Sequence, residues 1–368
     1  MKNHNPALLP SGLNDLLPPD SESEARAIGL LMDHFHRFGY RRIRPPLVEF
    51  EDSLLGAEIG SSMAGQTFRL MDPASRRMMG IRSDTTQQIA RIAATRLLDE
   101  PRPLRISYAT DVLRIKGSQM RPERQFVQVG CEIIGTDSAQ ADIESAVIGL
   151  EGLHKLGIAN LSLDLAFPPL LSILLDKGEY PESMRSLLEE ALRKRDQALI
   201  VTSGANEDQI KIFLRLCESM GKAERVMPLL QDITPSLPEQ ARACMQTLGL
   251  VYAGIQEALH ALRIPAQITI DPLETKGFAY KTGIAYTYFA HKIRGELGRG
   301  GRYSVYFAPQ TPRAHKDTAS SCTLYTDTIR KAMPHAKSDP VVSEPAHEGW
   351  KTMRQRQNEG HIVVRVMD

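Results

Sequence analysis

The stretch RQFVQVGCEIIG, residues 124–135, decides how the rest of the chain is read. Its alternation is that of a half-buried strand, with Val127, Val129, Cys131 and Ile133 on one face and Phe126, Gln128, Gly130 and Glu132 on the other. The first face is core. The second carries an amide and a carboxylate roughly 13 Å apart at about 3.3 Å per residue, with a glycine between them. A glycine there leaves room for something to lie against the backbone, and the flanking groups suit a small zwitterion with a polar side chain. A structural ion pair with a bulge glycine explains the same residues, so the neighbouring segments must decide.

Upstream, LRISYAT (104–110) and DVLRIK (111–116) read as strands, and the polar loop GSQMRPER (117–124) makes a hairpin with a mobile basic tip. Downstream, 137–157 is a helix started by Asp137 and stopped by Gly157, and LSLDLAF (161–167) is a strand. Before the hairpin, 21–40 is an amphipathic helix with a capping box from Ser21 to Glu24, apolar residues Ile28, Leu31, Met32, Phe35 and Phe38, and Gly39 as its stop. RRIRPPLVEF (41–50) follows, where Pro45 and Pro46 suit an edge strand or a bend that shows backbone to a partner. Strands come in runs, which favours an α+β fold with an antiparallel sheet flanked by helices.

Residues 168–263 are helical with breaks at Gly204, Gly221 and Pro235 to Pro238, an inserted helical subdomain. Strand signals return at 266–271, 277–293 and 300–307, and a last helix spans 323–333. The core therefore occupies 1–333. The tail, 334–368, shows one short helix and one strand, too little for an independent core.

The chain has 368 residues, 42% hydrophobic and 24% charged, an ordinary globular composition. With 45 basic and 44 acidic residues, its field gives no reason to expect an obligate nucleic-acid or membrane binder. No apolar run reaches the roughly 18 residues of a membrane span, and the start lacks a signal-peptide pattern, so a cytoplasmic location is expected. Cys131, Cys217, Cys244 and Cys322 form no CxxC pair and read as buried thiols, with no metal site.

Several further segments carry candidate chemistry. In IRSDTTQQIARIAATRL (81–97), Asp84 and Thr85 open an amphipathic helix, where a carboxylate and a hydroxyl hold an ammonium or simply cap the helix. ETKGFAYKTGIAY (274–286) and GRGGRYS (298–304) are glycine-rich strand edges whose Lys276, Tyr280, Lys281, Arg299 and Arg302 suit anion contacts. His34 and His36 lack a partner cluster.

Taken in order over residues 9–333, these stretches resemble the catalytic core of histidyl-tRNA synthetase, a class II aminoacyl-tRNA synthetase fold. LPSGLNDLLP (9–18) resembles the N-terminal signature, the first helix with RPPLVE (44–49) motif 1 and its dimer interface, and 113–135 motif 2. KGFAYKTGIAY (276–286) sits where the family has its histidine-binding RGLDYY, and GGRYS where it has GGRYD. The resemblance implies a histidine site in which Glu132 faces the imidazole, Gln128 and Thr85 meet the amino-acid backbone groups, Asp84 lies near the ammonium, and Arg114 and Tyr280 complete the set.

Where the family activates its amino acid with ATP, this chain departs from it. The glutamate after the motif 2 arginine is Lys116, the arginine of RGLDYY is Lys276, its second tyrosine is Lys281, and Thr328 stands where motif 3 carries an arginine. Arg330 would substitute only with a shifted register. A full anticodon-binding domain is missing. This pattern is similar to that of non-catalytic paralogues, the regulatory subunits of ATP phosphoribosyltransferase in histidine biosynthesis. Such a resemblance implies no cofactor, a short-form catalytic subunit as partner, L-histidine as effector, and a homodimer through motif 1 within a hetero-octamer. The alternative is a synthetase-like ligase that activates an amino acid with ATP. A tRNA-binding module, suggested by the basic stretches HRFGYRRIR (36–44) and 117–124, is disfavoured by the near-zero net charge.

Overall fold

The computed structural model describes residues 8–56, 63–178, 180–278, 280–305, 317–334, 341–344 and 349–366. Tyr306 and Phe307, read above as the end of a strand, lie outside them. The chain divides into two compact units, 1–333 and 334–368. In chain order the strands of the first are β1 (Arg41–Arg42), β2 (Val48–Phe50), β3 (Arg69–Met71), β4 (Met78–Ile81), β5 (Leu104–Leu113), β6 (Gln125–Ile134), β7 (Leu161–Ala166), β8 (Gly221–Lys222), β9 (Ala266–Ile270), β10 (Lys281–Ala290), β11 (Gly298–Val305) and β12 (Asp317–Tyr325). Nine of them form one sheet in the order β1-β5-β6-β12-β11-β10-β7-β9-β8, while β2, β4 and β3 form a small second sheet. Pairing in the large sheet is antiparallel except for β1 with β5 and β7 with β9, the α+β arrangement expected from strands that come in runs.

β12 lies between β6 and β11, so segments nearly 200 residues apart in sequence become neighbours. The alternation of β6 sorts its residues as the sequence predicts. Val129, Cys131 and Ile133 join Leu31 and Phe35 of the helix Asp20–Arg37, and Leu150 of the helix Ala139–Lys155, in one apolar core. On the opposite side, Ile106, Tyr108, Ile134 and Tyr303 pack against Ile89 and Ala93 of the helix Thr86–Thr95. The helices between Pro169 and Leu262 contribute Leu170, Leu188, Val226 and Leu248 to the first core, which is continuous with the sheet. A short strand, β8, interrupts them.

Some local expectations change. The first helix begins at Asp20 behind Pro19 with no side-chain cap, so Ser21 and Glu24 do not form the capping box. Ser138, not Asp137, caps the helix Ala139–Lys155 by accepting from the backbone N–H of Gln140 at 3.2 Å. The carbonyls of Pro45 and Pro46 are not offered to a partner, because they accept from Arg82 Nη1 at 3.0 and 3.2 Å. All four cysteines are free and buried. His34 is a core residue whose Nε2 lies 3.2 Å from the Ile148 carbonyl. No helix among the described residues is long and apolar enough to cross a membrane.

In the second unit, β13 (Val341–Glu344) and β14 (Ile362–Arg365) pair in parallel around the helix Trp350–Asn358. The first of these strands adds to the single strand read from the sequence.

Candidate functional site

A cavity of about 770 Å³ opens where β12, β11 and the start of β10 meet the loop 117–123 and the start of the helix Thr86–Thr95. Register explains its floor. Tyr108 and Gly130 face each other across β5 and β6, and Gly130 faces Thr323 across β12. The space above Gly130 does not lie open for a ligand. A Cβ there would sit 2.5 Å from Cζ of Tyr108, whose hydroxyl reaches Thr323 Oγ1 at 2.9 Å. The glycine admits a tyrosine ring.

The six residues expected to hold histidine divide into two groups. Asp84, Arg114 and Tyr280 line the cavity. Thr85, Gln128 and Glu132 stand behind that lining, each fully buried. The Thr85 hydroxyl is 2.7 Å from the Thr110 hydroxyl, so it is already partnered. Gln128 accepts from the Thr85 N–H at 2.9 Å and donates to Asp84 Oδ2 at 2.8 Å, which fixes the orientation of its amide. It therefore holds Asp84 from behind the cavity lining. Asp84 also accepts from the Thr86 N–H at 3.0 Å and lies 3.9 Å from Arg114 Nη2.

Glu132 is fully buried on β6, paired with Ile106 of β5 and Ser321 of β12. Tyr303 donates to its Oε2, and Oε1 has no hydrogen-bond partner. Burial pushes this carboxyl up to about 8, against the opposing pulls of the Tyr303 hydrogen bond and the Lys281 ammonium. Lys281 stands where the related motif has its second tyrosine. Its Nζ donates to the Gly301 carbonyl at 2.9 Å and to Ser321 Oγ at 3.2 Å, with the rings of Tyr280 and Tyr303 at 5.0 and 5.2 Å. Burial lowers Lys281 to about 8, with Glu132 and Asp84 working the other way. Tyr303 is thus the hydrogen-bond partner of Glu132 within its own chain, and the Lys281 ammonium acts on it from beyond contact distance.

The other end of the cavity is closed by a residue that no sequence signal marked. Arg121, in the loop read as a mobile basic tip, is 4% exposed. Its guanidinium lies 3.9 Å from the Tyr325 ring centroid, donates to the Glu296 carbonyl at 2.9 Å, and pairs with Asp327 at 3.0 Å. Nothing local separates this arginine from Arg124, whose partners are backbone carbonyls at its own hairpin neck and near the N-terminus.

The remaining substituted positions are spread around these two ends. Lys116 and Lys276 are exposed on the cavity lining. Thr328 bonds the Glu296 carbonyl at 2.7 Å and does not face the cavity. Arg330 does not substitute for the motif 3 arginine, because it pairs with Asp20 of the first helix at 2.5 Å. Arg302 is also no anion contact, since it holds Asp142 at 2.8 Å and the carbonyls of Thr136 and Ser138. Arg299 does line the cavity. No cluster of metal-ligating side chains occurs among the described residues.

The sequence model of the histidyl-tRNA synthetase family matches residues 12–318. A Rhodospirillum centenum protein named ATP phosphoribosyltransferase regulatory subunit is 41% identical over 358 residues, covering 94% of this chain and 89% of its own. A Gluconobacter oxydans protein of the same name is 43% identical over 340 residues, with 92% and 84% covered. Among solved structures, an ATP phosphoribosyltransferase regulatory subunit/histidyl-tRNA synthetase from Bacillus halodurans superposes with a TM-score of 0.82 at 19% identity, over 100% of this chain and 96% of that one. The HisG:HisZ complex of ATP phosphoribosyl transferase from Thermotoga maritima gives 0.60 at 16% identity, covering 82% of this chain and 97% of that one. These two likenesses speak to the fold. By its sequence, the chain belongs to the ATP phosphoribosyltransferase regulatory subunits, a family built on the histidyl-tRNA synthetase core.

Proposed function

We propose that this chain is the non-catalytic partner of a short-form ATP phosphoribosyltransferase catalytic subunit, acting in the cytoplasm. In this reading it is needed for turnover in the first step of histidine biosynthesis and for restraint of that step by histidine. The observation that carries it is a synthetase-like cavity lined by two of the chain's own cations at positions of synthetase chemistry, Lys281 in place of the motif's second tyrosine and Arg121 on the ring of Tyr325. Adenylation needs the substrate carboxylate and the nucleotide phosphates in register with fixed positive charge. A lysine in the side-chain subsite and an arginine on the aromatic wall work against that, and neither hinders a role as a binding partner.

The reading includes a homodimer through the motif 1 segments and a hetero-octamer with the catalytic subunit. Histidine then acts on the complex, with a shift no larger than its differential affinity for the active and inhibited states. Turnover by the catalytic subunit of the same organism, measured alone, with this chain, and with added L-histidine, tests the proposal. Activation that histidine reverses is expected, and unchanged turnover in all three conditions overturns the reading. Arg114, Lys116 and Lys276 still line the cavity, which keeps a synthetase-like ligase as the second reading. Amino-acid-dependent exchange of pyrophosphate into ATP would be its signature.

A further inference from the structure

A second cavity, of about 150 Å³, lies where β7, β10 and β11 meet the turn 271–278. It shares with the large cavity only Lys276, Phe278 and Arg299. Register sets its floor. Asp164 on β7 lies between Thr287 of β10 and Thr269 of β9, and Asp271 follows one residue after β9 ends. Asp164, Asp271 and Glu274 all line this space.

Three carboxylates around so small a volume repel one another unless each is matched. Asp271 is matched, because it pairs with Arg195 and accepts the N–H of Leu273 at 3.2 Å. Asp164 is not. It accepts from the Thr269 hydroxyl and has no ion-pair partner among the described residues. Burial raises its pKa, and the charges that act on it, Asp271 and Glu274, raise it further. Glu274 is exposed, accepts the N–H of Lys276 at 2.6 Å, and also lacks an ion-pair partner among the described residues.

A second observation points to the same missing group. Thr287 is only 6% exposed and lines the cavity, yet its hydroxyl makes no hydrogen bond among the described residues. Its counterpart Thr269 satisfies itself on Asp164, whereas Thr287 is left facing the cavity as a free acceptor. What the space lacks is therefore a donor that carries positive charge.

The size and the remaining walls choose among cations. A divalent metal is a poor fit, since no three metal-ligating side chains are grouped to hold one among the described residues. A volume of this size holds roughly five waters at about 30 Å³ each, room for a compact head group with a short alkyl stem and too little for a nucleobase. Phe278 and Phe289 flank it, and aromatic faces attract an ammonium. The Arg299 guanidinium is engaged elsewhere, 5.3 Å over the Phe278 ring and 3.7 Å from Glu296. An ammonium group brings three donors, and Asp164, Thr287 and Glu274 offer three acceptors.

We propose that this cavity binds the primary ammonium group of a small free amine, with Asp164 as its counter-ion, Thr287 as the acceptor on its floor and Glu274 at its mouth. The site is a property of this chain alone and stands or falls separately from the regulatory reading.

Calorimetric titration of the full chain tests it, with methylammonium, putrescine, potassium and magnesium chlorides as probes. Putrescine is expected to bind at millimolar concentration or below, more tightly than methylammonium because its second ammonium meets Glu274. Potassium should bind at least tenfold more weakly than putrescine. Asp164→Asn should weaken putrescine at least tenfold without lowering the unfolding temperature of the free protein, since it removes a repelled charge. Thr287→Val, which exchanges a hydroxyl for a methyl, should weaken it at least threefold and decides the matter alone if the Asp164 variant does not fold. Glu274→Gln should abolish the preference for putrescine over methylammonium. The proposal fails if neither amine binds at millimolar concentration, or if both the Asp164 and the Thr287 variants bind as the unaltered chain does. Magnesium or potassium binding as tightly as putrescine would overturn it in favour of a metal site. Amine binding that appears only in Lys276→Met would overturn it too, by showing that the chain's own lysine fills the cavity.

Discussion

At the scale of single residues, the site is governed by the cost of burying charge. Glu132 is raised from 4.5 to about 8 and Lys281 is lowered from 10.5 to about 8, each chiefly by desolvation. Below pH 8 the folded Glu132 keeps a proton that the unfolded chain has released. Its contribution to stability is therefore present below about pH 4.5 and is lost as pH rises toward 8. Lys281 has the opposite sign. Its contribution is lost as pH falls from about 10.5 through 8, because there the unfolded chain holds the extra proton. The pair should place a local minimum of stability near pH 8. Urea unfolding of the wild type and of Glu132→Gln between pH 5 and 8 checks this. The wild type should lose stability relative to the variant across that window, on the order of a few kcal/mol. A difference that stays flat with pH would mean that Glu132 is ionised in the folded protein throughout.

At the scale of elements, the sheet is tied to its helices by a few buried polar anchors. Arg302 on β11 reaches Asp142 in the first turn of the helix Ala139–Lys155 at 2.8 Å, with side-chain exposures of 11% and 1%. Removing only the arginine leaves a carboxylate stranded in the core, so Arg302→Met should cost about 3–5 kcal/mol. The double variant with Asp142→Asn should recover much of that loss, because the second change removes the stranded charge. Denaturant midpoints of the three variants measure the coupling, and a double variant no more stable than Arg302→Met would show that Asp142 is not the reason for the cost. Such anchors also show what was legible beforehand. Alternation placed the faces of β6, and Gly39 and Gly157 ended their helices with φ of +82 and +78, because those signals are local. The neighbour of Gly130 was not local: Tyr108 lies on another strand, and its ring fills the space that glycine leaves. Arg121 finds its partners in Glu296 and Asp327, some 200 positions away, so in the sequence it looks like any loop arginine. Asp84, Arg114 and Tyr280 line the cavity, whereas Glu132, on the same strand face as Gln128, is buried behind it, a difference that depends on neighbours from distant strands and not on local pattern.

At the scale of the whole molecule, the question is what the segment 334–368 contributes to stability. The apolar core of the first unit runs from Ala27 on the first helix to Ile329 on the last and is built wholly from residues before 334. Among its described residues the second unit has one pair of short strands and one helix, with Met353 as the buried apolar side chain and Glu344 held by Arg356. A core of that size does not sustain a fold alone. The larger core, for its part, is complete in residues before 334. A chain ending at 333 should therefore unfold within about 4 °C of the full chain, which for a unit of this size corresponds to roughly 1 kcal/mol. Thermal unfolding followed by circular dichroism checks this. A drop beyond 10 °C would make the segment an integral part of the main fold. If the unfolding temperature holds, the truncated chain becomes a clean reagent for the turnover assay. Activation of the catalytic subunit that disappears on truncation then assigns the segment to partner contact, since loss of folding is excluded. Activation that persists assigns the contact to the synthetase-like core.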